Sequence, residues 1–196
     1  LGTSSTLINN VSKWANLDPY KLLNVTFGGS GYDIAAANND HPIIFTKKEN
    51  QSVSKKQLIN WSFRDQLFFV HLNKKQNSRD SINSYRKVLK PKIIEIQKIN
   101  ELTIDLCNCN SLTEFKNLIK RHEKIVSNMI QQKPIKEVLF KNYHGGIKSL
   151  GAWGGDFILA TGNEEDHQYF KNKGFNTIIP FKKIIKGMEK NFFQLR

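Results

Sequence analysis

Apolar residues near the start of the chain recur at helical spacing. Leu7, Ile8, Val11, Trp14 and Ala15 fall on one face, which predicts an amphipathic helix beginning at Thr3–Ser5. Asp18 and Pro19 open a second, short helix over residues 20–26. A glycine-rich turn follows, then a short segment of small residues over 34–37. Residues 38–42, NNDHP, are turn chemistry, 43–46 read as a strand, and 47–56 as a polar surface loop. The strongest strand signal is LFFVHL at 67–72. Beyond it the polar stretch NKKQNSRDS leads through Ser78 into a helix carrying Ile82, Tyr85, Val88 and Leu89, and Pro91 restarts a helix with Ile96, Ile99, Leu102 and Leu106. Ser111 and Glu114 form a capping box for a long helix whose stripe runs Leu112, Phe115, Leu118, Ile119, Ile125, Val126 and Met129. His122 lies on that face and reads as a packed core histidine rather than a ligand. Residues 136–141 read as a strand, 157–160 as another, 163–173 as a helix closed by Gly174, and 177–181 as the last strand. Strands from distant parts of the chain must pair. The second half is therefore an α+β layer with helices on one face, divided from the first near residues 60–66.

Composition narrows the classes. At 196 residues the chain holds one large or two small domains, and 39% hydrophobic content with 13 Phe and 3 Trp excludes global disorder. No apolar run reaches the length of about 18 residues that spans a bilayer. Cys107 and Cys109 are separated by one residue, a spacing that suits neither zinc nor a disulfide, so free thiols and a cytoplasmic setting are expected. The chain begins at Leu1, inside a glycine-containing turn, without Met or a signal-peptide pattern. A preceding segment is therefore expected. The net charge of +13 points either to a polyanionic partner or to lysines spread over solvated faces, and most of the lysines are scattered. A basic nucleic-acid-binding module is the alternative that this charge raises, but no RNP-type motif or basic helix supports it.

Three glycine-bearing stretches stand beside hydroxyls or an acid: LGTSST at 1–6, FGGSGYDIAAAN at 27–38 and KSLGAWGGDF at 148–157. Glycine lets backbone N–H groups approach an anion closely, and a helix N-terminus aims free N–H groups and a positive dipole end at it. The first stretch also reads as an ordinary helix cap. In the second, Asp33 sits at the turn, where an acid can orient a substrate or accept its proton. In the third, Lys148 and Ser149 precede three glycines and Asp156. Lys74, Lys75, Ser78 and Arg79 form a basic stretch that reads either as a pocket for an acidic substrate or as a solvated strand-to-helix turn.

In order and in kind, these stretches resemble the three motifs of the GHMP kinase superfamily. LGTSS resembles its phosphate-binding motif, GGSGYDIAAA its S-G-x-D stretch, and KSLGAWGGDF its C-terminal glycine motif. The resemblance covers the whole chain and is greatest to phosphomevalonate kinases and to bacterial members with a GYDIA signature. It implies a two-domain α+β architecture. Residues 1–64 would be the remainder of a ribosomal-protein-like, ATP-binding domain, and 65–196 a ferredoxin-like C-terminal domain. It further implies an ATP- and Mg²⁺-dependent kinase acting on a small phosphorylated or hydroxy acid, first phosphomevalonate, then mevalonate or a sugar. Gly2, Thr3, Ser4, Ser5, Gly29, Ser30 and Gly31 would hold ATP, with Ser4 contacting Mg²⁺. Asp33 and Lys148 would be catalytic. Lys74, Lys75, Ser78, Arg79, Gly151, Ala152, Gly154, Gly155 and Asp156 would bind substrate. Neither a nucleic acid nor a membrane is an expected partner, and a homodimer is compatible with the family. Two departures are visible. No acid lies within 20–26 to match a Glu that relatives use for the metal, Asp18 being nearest, and Trp153 stands where the third motif usually has glycine.

Overall fold

Four consecutive buried residues, Leu67, Phe68, Phe69 and Val70, make β3 (Leu67–His71) the centre of a sheet rather than its edge. The computed structural model describes residues 3–47, 52–74, 93–151, 153 and 155–185. They form two compact units, one within residues 3–59 and one spanning Asn60–Ile185.

The first unit holds α1 (Thr3–Ala15), α2 (Pro19–Val25), α3 (Tyr32–Ala37) and an antiparallel hairpin of β1 (Ile43–Lys47) and β2 (Ser52–Lys56). Asp18 caps α2, its carboxylate accepting from the backbone N–H groups of Tyr20 (2.7 Å) and Lys21 (3.2 Å). Ile8, Leu23 and Ile34 form the small core. Two expectations change here. The stretch 47–56 is not all loop, because Ser52–Lys56 pairs with β1 in the register Ile43↔Lys56 to Lys47↔Ser52, and a neighbouring strand overrides a polar sequence. The buried face of α1 is also not its apolar face. Ser5, Ile8, Asn9 and Ser12 are buried, whereas Leu7 is 53% and Trp14 88% exposed. The reason lies in α3. Asn9 Oδ1 accepts from Asn38 Nδ2 at 3.1 Å, and Asn9 Nδ2 reaches the Ile34 carbonyl at 3.5 Å, so a polar side chain serves backbone and side-chain groups at the end of α3.

The second unit contains β3, α4 (Ile93–Asn108), α5 (Leu112–Ile130), α6 (Ile135–Leu139), β4 (Ile147–Ser149), β5 (Phe157–Thr161), α7 (His167–Lys171), β6 (Ile178–Pro180) and α8 (Phe181–Ile184). Its sheet has the order β4-β5-β3-β6 with every neighbour antiparallel. Successive strand residues face opposite sides. Phe68 and Val70 join Phe140, Tyr143, Ile147, Ile158, Ala160 and Phe170 in one core. Phe69 stacks on Phe181 at 5.7 Å, and Phe181 continues into an aromatic group with Trp61, Phe63 and Phe115. Both faces of β3 are therefore covered, by groups from α7 on one side and from α5 and α8 on the other. This replaces the expected single helical face.

Ser111 caps α5 by accepting from the Glu114 N–H at 3.2 Å, but Glu114 returns its bond to the Asn110 N–H at 3.1 Å rather than to Ser111. Residues 135–139 are helical, not a strand. Pro134 pre-sets the first turn, and its carbonyl accepts from the Glu137 N–H at 2.9 Å. The expected helix around Ile82–Leu89 lies outside the described residues. Among the described residues no helix is long and apolar enough to cross a membrane.

Candidate functional site

In the first unit, the candidate groups lie at the start of α1 and between α2 and α3. Thr3 and Ser4 are exposed, whereas Ser5 is buried; Gly2 lies outside the described residues. The first turn of α1 contains no acid, so nothing on the helix itself neutralises its positive end. After α2 the backbone closes with a bond from the Gly28 N–H to the Leu23 carbonyl at 2.7 Å, the 6→1 bond of a Schellman-type ending. Gly28, Gly29 and Gly31 then all take positive φ. Gly31 is the N-cap of α3 at φ 84°, and a Cβ there would lie 3.0 Å from the Tyr20 ring. Both the conformation and the close approach call for glycine at this position.

The turn places Asp33 in the first turn of α3, exposed, with Ser30 exposed beside it. Crowding of the Asp33 carboxyl by surrounding protein raises its pKa, and the hydrogen bond from the Tyr32 hydroxyl opposes that shift. Burial of the Tyr32 phenol, the Asp33 charge and the shared hydrogen bond push the tyrosine up to about 12. At neutral pH the Tyr32 hydroxyl keeps its proton and donates to Asp33. The pair gives the acid a defined orientation, which a group that must accept or align a proton needs.

In the second unit, strand pairing gathers groups at one end of the sheet. Phe157 opposes His71, and the Leu72 N–H donates to the Asp156 carbonyl at 2.7 Å, so the end of the third glycine stretch meets the start of the basic stretch. Asn73, at φ 54°, reaches the Gly174 carbonyl at 2.9 Å, and Lys74 follows it, exposed. Gly151 (φ 59°) is exposed and Gly155 buried. Trp153 has φ 45°, a left-handed conformation that costs a side-chain-bearing residue roughly 1–2 kcal/mol. Lys75, Ser78, Arg79, Ala152 and Gly154 lie outside the described residues.

Lys148 sits within β4, and its ammonium faces inward. It lies 3.5 Å from Glu123 Oε1 and 3.3 Å from His122 Nδ1, and it reaches the Ser149 carbonyl at 3.3 Å. Ser149 donates its hydroxyl to Glu123 Oε2 at 2.7 Å. Burial lowers the Lys148 pKa while Glu123 opposes the shift. Burial raises that of Glu123 while Lys148 and Ser149 oppose it. His122 is driven down to about 4, by burial first and the Lys148 charge second. The imidazole is then neutral at pH 7 and free to accept from the ammonium.

The structure thus brings together Gly29, Ser30, Gly31 and Asp33 in one unit. In the other, strand register puts Lys74 and Asp156 just beyond the same end of the sheet, with Lys148 in β4 before the loop that carries Gly151 and Gly155. Sequence reasoning did not single out Tyr32, Glu123 or Ser149 as partners. The Tyr32–Asp33 pair is adjacent in sequence and was open to inspection. Glu123 had no such signal, because it meets Ser149 only when α5 packs on β4.

No protein-family model matches the chain, and no curated protein matches it. Among solved structures the chain is similar to an L. major mevalonate kinase in complex with R-mevalonate. The TM-score is 0.54 at 16% identity, over 77% of this chain and 51% of that one. It is also similar to a Lin0012 protein from Listeria innocua, with a TM-score of 0.61 at 15% identity, over 92% of this chain and 61% of that one. The chain spans 51% and 61% of the lengths of these two proteins. At such identities the likeness is one of fold alone.

Proposed function

We propose that the chain is part of an ATP-dependent small-molecule kinase that passes a γ-phosphoryl group to a small acceptor. Phosphomevalonate is the first candidate, and mevalonate or a sugar the alternative. The observation that carries this reading is the exposed, acid-free N-terminus of α1, bearing Thr3 and Ser4, in a chain whose fold is similar to that of a mevalonate kinase. Free N–H groups and hydroxyls at a helix N-terminus fit a phosphate. The strand order of the second unit supports the ferredoxin-like reading of that half.

ATP would supply the transferable phosphoryl group, and Mg²⁺ would neutralise charge developing on it. The residues fit the phosphates, with Thr3 and Ser4 presented to solvent. Ser4 fits a Mg²⁺ as one neutral oxygen ligand, the phosphate oxygens and water completing its shell. Ser5, being buried, contributes its backbone N–H rather than its hydroxyl. Asp33, held by Tyr32, would orient the acceptor. Lys74 and the neighbouring backbone of Gly151, Gly155 and Asp156 would bind the acceptor's negative groups. Transfer through a loose transition state needs positioning and charge more than a strong base, which suits an exposed, singly supported acid.

ATP turnover with Mg²⁺ over a panel of phosphomevalonate, mevalonate and sugar acceptors tests this. ADP release is expected with one acceptor, and Asp33→Ala is expected to lower kcat by about 10²–10⁴-fold. Absence of ATP binding would overturn the reading.

A further inference from the structure

The root of the third glycine stretch is held by buried charge. Among the described residues, Glu123 is 5% exposed in the middle of α5, a helix whose inward face is otherwise built from Phe115, Leu118, Ile119 and Met129. A carboxylate at such a position is costly unless it is paired. Its partners come from the last two residues of β4 and the adjacent His122: the Ser149 hydroxyl at 2.7 Å, the Lys148 ammonium at 3.5 Å and His122 Nδ1 at 3.9 Å. Lys148 also reaches His122 and the Ser149 carbonyl, while Glu123 Oε1 makes no hydrogen bond and is held by charge alone, at 3.5 Å from the Lys148 ammonium. Past Ser149 the backbone leaves the sheet at once, through Gly151 at φ 59° and Trp153 at φ 45°. The direction in which it leaves is set where Ser149 is held. β4 is three residues long and, among the described residues, pairs with β5 alone, so strand hydrogen bonding gives that root little purchase.

We propose that Glu123 is a positioning residue for the third glycine stretch. By gripping Ser149 and Lys148 from α5, it fixes the angle at which Gly151 and Trp153 leave β4. Lys148 then acts as an internal counter-ion for Glu123, holding the loop from beneath. That this loop meets a substrate rests on the kinase reading above; the geometric role of Glu123 does not.

Trp153 reports on the loop directly. The whole chain, labelled with 5-fluorotryptophan, gives three ¹⁹F resonances, from Trp14, Trp61 and Trp153, assigned by Trp→Phe substitution. Glu123→Gln keeps an acceptor for Ser149 but leaves Lys148 without its charge partner, whereas Ser149→Ala keeps the charge pair and removes the tether. Each is expected to move or broaden the Trp153 resonance by more than its linewidth while those of Trp14 and Trp61 stay in place. Trp61 packs on Phe115 of α5, so an unmoved Trp61 shows that the helix itself is intact. An unmoved Trp153 in both variants overturns the proposal. So does equal movement of Trp61 and Trp153, which would make the network a general support of the fold. Titration of the same samples with MgATP separates the two readings: a Trp153 response to Glu123→Gln in a protein that does not bind MgATP supports the positioning role and overturns the kinase.

Discussion

At the scale of single residues, His122 shows how burial and charge act on one titratable group. Its pKa falls from 6.5 in the unfolded chain to about 4 when folded, because a cation beside Lys148 in a poorly solvated site is unfavourable. A base with a depressed pKa contributes fully above pH 6.5, where both states are neutral. As the pH falls toward 4 the unfolded chain takes up a proton that the folded one refuses, so stability is lost through that window. Urea unfolding between pH 7 and 4.5 should show wild type losing on the order of 1–2 kcal/mol more than His122→Gln. Burial at His167 acts in the same direction but is common to both proteins and cancels in the difference. Parallel pH profiles of the two proteins would contradict this account. Asp33 is shifted the opposite way for an acid, upward, so its ionisation weakens the fold slightly as the pH rises through its range. Sites that serve a ligand commonly carry such a cost.

Among the elements, α1 separates what periodicity shows from what packing decides. The helix itself was legible in the spacing of its apolar residues, but the side that turns inward was not. Asn9 outweighs Trp14 because it is buried against a partner, Asn38, whereas Trp14 is left exposed. Asn9→Ala should therefore cost about 1–2 kcal/mol, since it leaves the Asn38 amide without its acceptor. Trp14→Ala at an 88% exposed position should change stability by less than about 0.5 kcal/mol. Chemical unfolding followed by circular dichroism checks both, and the reverse order would restore the apolar face as the packing face. The same limit explains the other differences. Residues 52–56 are a strand only because β1 lies beside them, and IKEVL at 135–139 carries a pattern too short to separate helix from strand. Strong signals survived: the LFFVHL strand, the caps Asp18 and Ser111, and the turn at Gly28–Gly31, each fixed by residues within a few positions. Glu123 was illegible because its partners are about 25 residues away and on another element.

At the scale of the molecule, the second unit has what an independent domain requires. It has roughly 125 residues, a sheet buried on both faces and two aromatic groups joined through β3. Residues 60–185 expressed alone should unfold in one cooperative transition by urea, with Trp61→Ala costing about 3 kcal/mol through loss of its packing on Phe63, Phe115 and Phe181. A gradual, non-cooperative melt would show that its core depends on the rest of the chain. The order of strands has a further consequence, for how the protein is made. β3 is the first strand of this unit to leave the ribosome, yet both of its neighbours, β5 and β6, come from the far end, β5 about ninety residues later. At synthesis rates of about 5–20 residues per second, the segment Leu67–Val70 waits some 5 to 20 seconds with no strand to pair with. During translation, then, the innermost part of the finished fold is its most exposed adhesive stretch, and a nascent chain stalled before Phe157 presents to chaperones the sequence that the completed protein hides best.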